Sequence, residues 1–217
     1  MLSFIPSIVK KQIVAVSGAG MVGFVFAHLA GNFAIFKGAE SFNAVAQFYK
    51  DLGPLLYAAE IGLIVLFLTH TVLTASLTYE NIKARKTGYK KYEDHTEGKP
   101  TFAARTMPIT GIILFSYIIY HLIDFKFAEH TGVIGGVDQG LYGLVVLGLK
   151  DPLHAGIYVF SMLALGLHLS HSVQSMCQTF GLVSKVGLPR LIQISQAIGL
   201  FIAVAYSSIP IYVLAVL

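Results

Sequence analysis

Five of the eight histidines of this 217-residue chain fall within long apolar stretches, and their placement constrains the chemistry most strongly. An ionisable side chain is costly in a hydrophobic environment, and where one occurs it usually serves a function. The other three, His95, His130 and His154, lie in or beside polar segments and are predicted to be surface or interfacial residues. The five within apolar stretches are His28, His70, His121, His168 and His171.

The apolar stretches themselves predict a membrane protein. Hydrophobic residues make up 55% of the chain and charged residues 12%, whereas a soluble domain carries about 25% charged residues. Five stretches reach the ~20 residues that a helix needs to cross a bilayer. We therefore predict an all-α integral membrane bundle of five transmembrane helices, a single domain over residues 1–217. The predicted spans are 13–36, 55–79, 103–127, 152–178 and 190–215.

The basic residues predict the orientation of the bundle. Eleven of the 15 Lys and Arg residues fall on one side of the predicted bilayer and four on the other. Because basic loops stay in the cytoplasm, the N-terminus is predicted to be cytoplasmic. The net charge of +4 is thereby explained by topology rather than by nucleic-acid binding. The eleven are Lys10, Lys11, Lys83, Arg85, Lys86, Lys90, Lys91, Lys99, Arg105, Lys185 and Arg190, and the four are Lys37, Lys50, Lys126 and Lys150.

Depth along the helices sorts four of the histidines into two pairs. At ~1.5 Å rise per residue, His28 lies about 22 Å and His121 roughly 27 Å from the cytoplasmic ends of their spans. The second and fourth spans run the other way, so His70 and His168 lie ~14 Å and ~15 Å from that side. We therefore predict an outer pair, His28 with His121. The inner pair is His70 with His168.

Two imidazoles that face each other across a bundle are suited to axial ligation of a haem iron. Zinc would need three or four converging ligands, and a proton relay would favour carboxylates, of which the spans hold Glu60 and Asp124. The single cysteine, Cys177, excludes a disulfide, covalent haem attachment and a cysteine-ligated iron–sulfur cluster within this chain. Two b-type haems are the predicted cofactors.

Three glycines in the first span match the pattern of a nucleotide-binding motif. Gly18-x-Gly20-x-x-Gly23 follows an apolar run and matches a dinucleotide-binding fingerprint. Four more spans follow it instead of alternating strands and helices, so the glycines favour close approach of a helix or a flat cofactor. Ser17, eleven residues before His28, lies on the same helix face at the inner depth. It is predicted either to contact the inner haem or to bond its own backbone.

Four sequence segments surround the histidines of the spans. They are HLAGN at His28; FLTHTVLTASLTYEN around His70; ARTMPITGIILFSYIIYHLIDF, with Arg105 and His121; and GLHLSHSVQSMCQTFGL, with His168 and His171. In this order and at these spacings they resemble the cytochrome b subunit of succinate:quinone oxidoreductases, in the five-helix, two-haem class. The resemblance covers essentially the whole chain.

The resemblance implies specific cofactors and partners. It carries the four axial haem ligands onto His28, His70, His121 and His168. On the fourth helix it favours His168 over His171, whose side chain points ~300° away around the helix. It also implies menaquinone, a bacterial cytoplasmic membrane, and flavoprotein and iron–sulfur subunits that interconvert succinate and fumarate. The dicarboxylate chemistry would belong to those partners, so no catalytic residue is predicted in this chain.

Three further positions are interpreted through this resemblance. Glu60 lies near the outer depth and is either a quinone-site carboxylate or an interfacial residue. Arg105 is suited to a haem propionate or a phospholipid headgroup. Gly166 occupies the place where some family members carry an acidic residue associated with a proton path, so that path is in doubt here. The polar segment 80–101 is predicted to be a solvated cytoplasmic loop, a docking surface for a soluble partner, or both.

Two other functions fit parts of the pattern. One is the cytochrome b subunit of a hydrogenase or formate dehydrogenase, which also uses bis-histidine haems. The other is a haem-free transporter, which would favour internal repeats and broken helices.

Overall fold

A computed structural model describes residues 5–84, 102–184 and 187–217 of the protein. Most of the predicted loop 80–101, and His95 with it, lies outside the described residues. Its first residues, up to Ala84, are helical rather than looped.

Five long helices form the body of the molecule, and the prediction of an all-α five-span bundle is confirmed. Within the described residues, five helical segments are long and apolar enough to cross a membrane, so the chain is a multi-pass membrane protein. The first continues into a 3-10 turn, Phe33–Lys37, and the third into a π-helical segment, Leu122–Lys126. The helices are α1 (Ser7–Asn32), α3 (Pro54–Ala84), α4 (Phe102–His121), α6 (Pro152–Thr179) and α7 (Leu188–Val216).

Two short helices between the spans were not predicted. They are α2 (Ala39–Asp51) and α5 (Gly140–Leu149), both shorter than the ~20 residues that a span needs. A two-stranded hairpin precedes α5, with β1 (Val133–Ile134) antiparallel to β2 (Val137–Asp138). We call the end of the bundle that carries α2 and α5 the outer end, following the predicted orientation, and the opposite end the inner end.

Hydrogen bonds between side chains and backbone groups connect α2, the hairpin and α5 at the outer end. The Asn43 side chain of α2 accepts from the Tyr142 N–H at 3.1 Å and donates to the Gln139 carbonyl at 2.8 Å. The Asp138 carboxylate accepts from the backbone N–H groups of Gly132 and Gly140, both at 2.9 Å. These two donors hold the pKa of Asp138 below its ordinary value. Hydrogen bonds to the charged form of an acid favour its ionisation. At neutral pH the ionised Asp138 therefore holds together the backbone on the two sides of the hairpin.

Helices α6 and α7 make the most extensive contact in the described chain. A Cβ atom on Gly199 would lie 2.3 Å from the Gly166 carbonyl oxygen, so these backbones touch where the two glycines meet. One turn earlier in α7, the buried Ser195 hydroxyl accepts from the Gln174 N–H at 3.2 Å and donates to the Leu169 carbonyl at 3.1 Å. Small residues and interhelical hydrogen bonds are the usual means of packing helices within lipid.

At the inner end a charged contact joins α1 to α3. The Lys10 side chain is 1% exposed and forms a salt bridge with Glu80. Its ammonium also donates to the Ser76 hydroxyl at 3.2 Å. A buried ammonium is stable only when it is paired, so this contact fixes the start of α1 against α3.

Candidate functional site

The outer pair of histidines meets across the bundle as predicted. His28 of α1 and His121 at the end of α4 have ring centroids 5.9 Å apart and ring planes at 85°. Two imidazoles bound to opposite sides of one iron through bonds of about 2 Å would have centroids about 6 Å apart. The spacing of this pair therefore fits axial ligation of a haem. The His28 ring is held by stacking on Phe24 at 5.2 Å and on Tyr206 at 6.4 Å.

The two histidines of the predicted inner pair lie on α3 and α6. The His70 Nδ1 atom lies 3.3 Å from the Val14 carbonyl of α1. Because a carbonyl only accepts, this nitrogen carries the proton in that contact. The Nε2 lone pair is then available to a metal.

His168 is oriented in a similar way by α4. Its Nδ1 atom lies 3.1 Å from the Thr110 hydroxyl, which itself donates to the carbonyls of Thr106 and Met107 at 3.2 and 3.1 Å. The hydroxyl proton is thus used within α4, and the oxygen can accept from the His168 Nδ1–H. Metal-binding histidines commonly have the second nitrogen fixed by such a contact.

His121 of the outer pair has a different partner. Its Nδ1 atom lies 3.5 Å from the Tyr158 hydroxyl, and that hydroxyl donates to Asp124 Oδ2 at 2.8 Å. His154 Nε2 lies 3.1 Å from the same carboxylate oxygen, and His154 Nδ1 is 2.9 Å from the Tyr120 hydroxyl. Asp124 belongs to the π-helical segment, and such segments are frequent at functional sites.

Sequence reasoning did not single out these supporting residues. His154 was predicted to be an ordinary interfacial residue, yet its side chain is 18% exposed and contacts Asp124. One signal was available in the sequence. Asp124 follows His121 by three positions and Tyr158 follows His154 by four, spacings that place side chains on one helix face.

The other predicted residues occupy three different surroundings. Ser17 is buried and donates to the Ile13 carbonyl at 2.8 Å while lying 3.4 Å from His70 Nδ1, so it both bonds its own backbone and lies at the inner pair. Glu60 forms a salt bridge with Lys126 between α3 and the end of α4. Arg105 lies in the first turn of α4 at the inner end and is exposed.

His171 contacts a residue of its own helix. Its Nδ1 atom lies 3.0 Å from the Gln174 side-chain amide of its own helix, whereas His168 reaches α4. Within residues 5–84, 102–184 and 187–217, no three His, Cys, Asp or Glu side chains are grouped to hold a metal ion. The arrangement therefore offers pairs of ligands, which suit a haem, and not the three or four that zinc requires.

The glycines of the apparent nucleotide fingerprint lie inside α1, and the residues that precede them from Ser7 onward belong to the same helix. A Cβ on Gly18 would lie 3.5 Å from His70 Cε1, and one on Gly20 would lie 2.8 Å from Leu66 Cδ1. Small residues at these two positions let α3 and its histidine approach α1.

The geometry agrees with a comparison to known proteins. The chain is 27% identical over 185 residues to the succinate dehydrogenase cytochrome b558 subunit of Bacillus subtilis (strain 168), covering 85% of this chain and 83% of that protein. The chain resembles a succinate dehydrogenase cytochrome b subunit. The predicted resemblance to the cytochrome b subunits of succinate:quinone oxidoreductases is thereby confirmed. No protein-family model matches the chain, and no solved structure matches it.

Proposed function

We propose that the chain is the di-haem cytochrome b anchor of a succinate dehydrogenase or fumarate reductase complex in a bacterial cytoplasmic membrane. It would transfer electrons between menaquinone or menaquinol and the iron–sulfur subunit. The observation that carries this proposal is that four helices each present a histidine to the bundle: His28 and His121 face each other, and the Nδ1 atoms of His70 and His168 each contact a neighbouring helix. In the outer pair the ring centroids are 5.9 Å apart. Similarity to a succinate dehydrogenase subunit favours this complex over a hydrogenase or formate dehydrogenase.

Four side chains would hold the haems. His28 and His121 would ligate the outer one. His70 and His168 would ligate the inner one, with Ser17 beside it. A bound haem supplies a one-electron carrier. The protein's own contribution is to fix each imidazole by packing or by an Nδ1 contact and to exclude water from the spans.

The remaining sites are assigned by position. Glu60 at the outer end would accept a proton from menaquinol, with Lys126 as its partner in the resting salt bridge. Arg105 at the inner end would hold a haem propionate or a lipid phosphate through its planar fork. The flavoprotein and iron–sulfur subunits would dock at the inner end, where the segment 80–101 begins.

A haem assay tests this proposal directly. We expect two low-spin haems per chain, measured by pyridine haemochrome against protein concentration in the purified protein. A ratio near one or zero would contradict the di-haem assignment, and zero would favour the transporter alternative. Co-purification of flavoprotein and iron–sulfur subunits would separate this complex from a hydrogenase or formate dehydrogenase.

A further inference from the structure

A carboxylate lies behind the partner of His121, whereas the partners of His70 and His168 are neutral groups. At the inner pair the acceptors are neutral, the Val14 carbonyl at 3.3 Å and the Thr110 hydroxyl at 3.1 Å. At the outer pair, His121 meets Tyr158, whose hydroxyl donates to the Asp124 carboxylate at 2.8 Å. The proposed ligands of the two haems thus lie in different electrostatic settings.

Proton positions along this contact follow from the donors and acceptors. The Tyr158 proton is directed at Asp124, because a carboxylate only accepts. The Tyr158 oxygen is then an acceptor for the His121 Nδ1–H, 3.5 Å away. We call this arrangement the Asp124–Tyr158 bridge. In it, the Tyr158 hydroxyl contacts the Asp124 carboxylate on one side and the His121 imidazole on the other.

The Asp124 carboxylate has a second neighbour on α6 besides Tyr158. His154 Nε2 lies 3.1 Å from Asp124 Oδ2, and His154 Nδ1 lies 2.9 Å from the Tyr120 hydroxyl. Lys126, two positions after Asp124, forms a salt bridge with Glu60. Tyr158 is the residue that contacts both the Asp124 carboxylate and the His121 ring.

We propose that Asp124, acting through Tyr158, is a positioning residue that makes His121 a more basic ligand and favours the ferric form of the outer haem. A carboxylate behind a metal-bound histidine raises the basicity of that ligand, and hydrogen bonding around the ligands is one of the protein's means of setting haem potential. This inference rests on the proposed haem ligation.

The test is a redox titration of the complete complex, with the two haems resolved by their spectra. Asp124→Asn keeps the size and an acceptor oxygen but removes the charge. Tyr158→Phe keeps the charge and removes the link. We expect each variant to lower the ferric-to-ferrous ratio of the outer haem about tenfold at a fixed ambient potential, a rise of about 59 mV for a one-electron couple. The inner haem serves as an internal reference and should not move.

Two comparisons make the test specific. Asp51→Asn removes another carboxylate from the outer end, one that accepts from Gln47 of its own helix at 2.7 Å, and it should leave both haems unchanged. In a Tyr158→Phe background, Asp124→Asn should have little further effect, because the two residues act as one unit. A full additional shift would show that Asp124 acts through space, and would overturn the bridge.

The outcomes separate this inference from the proposed function. A wild-type protein without haem contradicts the proposed function. Two haems with an unmoved outer potential in both variants would contradict the bridge alone. Should Tyr158→Phe lose haem altogether, Asp124→Asn still decides the question.

Discussion

Three of the four proposed ligands have their Nδ1 atom fixed by a group from another helix. Val14 of α1 orients His70, Thr110 of α4 orients His168, and Tyr158 of α6 contacts His121. The fourth, His28, is packed by ring stacking instead. A misdirected imidazole could not present its Nε2 lone pair, so these contacts decide which histidines are able to act as ligands.

The first prediction separates His168 from its neighbour. His168→Ala should lose the inner haem and keep the outer one, because the His168 ring contacts Thr110 of α4. His171→Ala should retain both haems, since its ring is engaged by Gln174 of its own helix. Haem content by pyridine haemochrome, with redox titration to identify the haem that is lost, measures the result. Loss of a haem from His171→Ala but not from His168→Ala would reverse the assignment.

That His28 lies beside His121 could be predicted from the sequence, but the groups that contact the histidine rings could not. Rise per residue along a helix is fixed, so residue numbers alone placed His28 beside His121. Which group meets an Nδ1 atom depends on how the helices rotate and lean against each other. For this reason Thr110 and Tyr158 emerged only from the structure, and the pairing of Glu60 with Lys126 was likewise missed.

At the scale of elements, the contact between α6 and α7 requires a small residue at Gly166, two positions before His168. A Cβ there would lie 2.7 Å from both the Ala203 Cβ and the Gly199 carbonyl oxygen. A larger side chain at this position would therefore force α7 away from α6.

The second prediction measures that contact. Gly166→Ala should destabilise the protein by about 1–3 kcal/mol, the usual cost of overpacking. Thermal unfolding of the detergent-solubilised protein would report it as a lower midpoint. Gly156→Ala is the matched control on the same helix, because no atom lies within 4 Å of its added Cβ; it should be neutral or stabilise by roughly 0.5–1 kcal/mol. Equal effects of the two changes would contradict the close contact at Gly166.

Hydropathy predicted the five membrane-spanning helices, but it did not predict the short helices α2 and α5. The five spans agree with the structure to within a few residues, except that α1 begins at Ser7 rather than near residue 13. Its first turns carry Lys10, which is buried only because Glu80 and Ser76 lie opposite. Such pairing between distant residues leaves no local signal. Helices α2 and α5 are stable because they pack on the outer end, where Val146 and Leu149 are each 2% exposed.

For the whole molecule, salt bridges at the two ends show that α1, α3 and α4 alternate in direction. Lys10 near the start of α1 meets Glu80 near the end of α3, while Glu60 near the start of α3 meets Lys126 after α4. We infer from the eleven-to-four division of basic residues that the inner pair faces the cytoplasm, which puts it on the side where an iron–sulfur subunit would dock.

The last prediction tests this orientation with single cysteines. Cys177 is the one natural cysteine, so Cys177→Ser gives a background free of thiols. In that background Ser7→Cys marks the inner end and Glu129→Cys marks the outer end, both at exposed positions. A membrane-impermeant maleimide should label the Glu129→Cys protein in intact spheroplasts. It should label the Ser7→Cys protein only in inside-out vesicles, because translocating the basic end of the bundle is strongly disfavoured. The opposite labelling pattern would place the His28–His121 pair on the cytoplasmic side and require electrons from the iron–sulfur subunit to enter there.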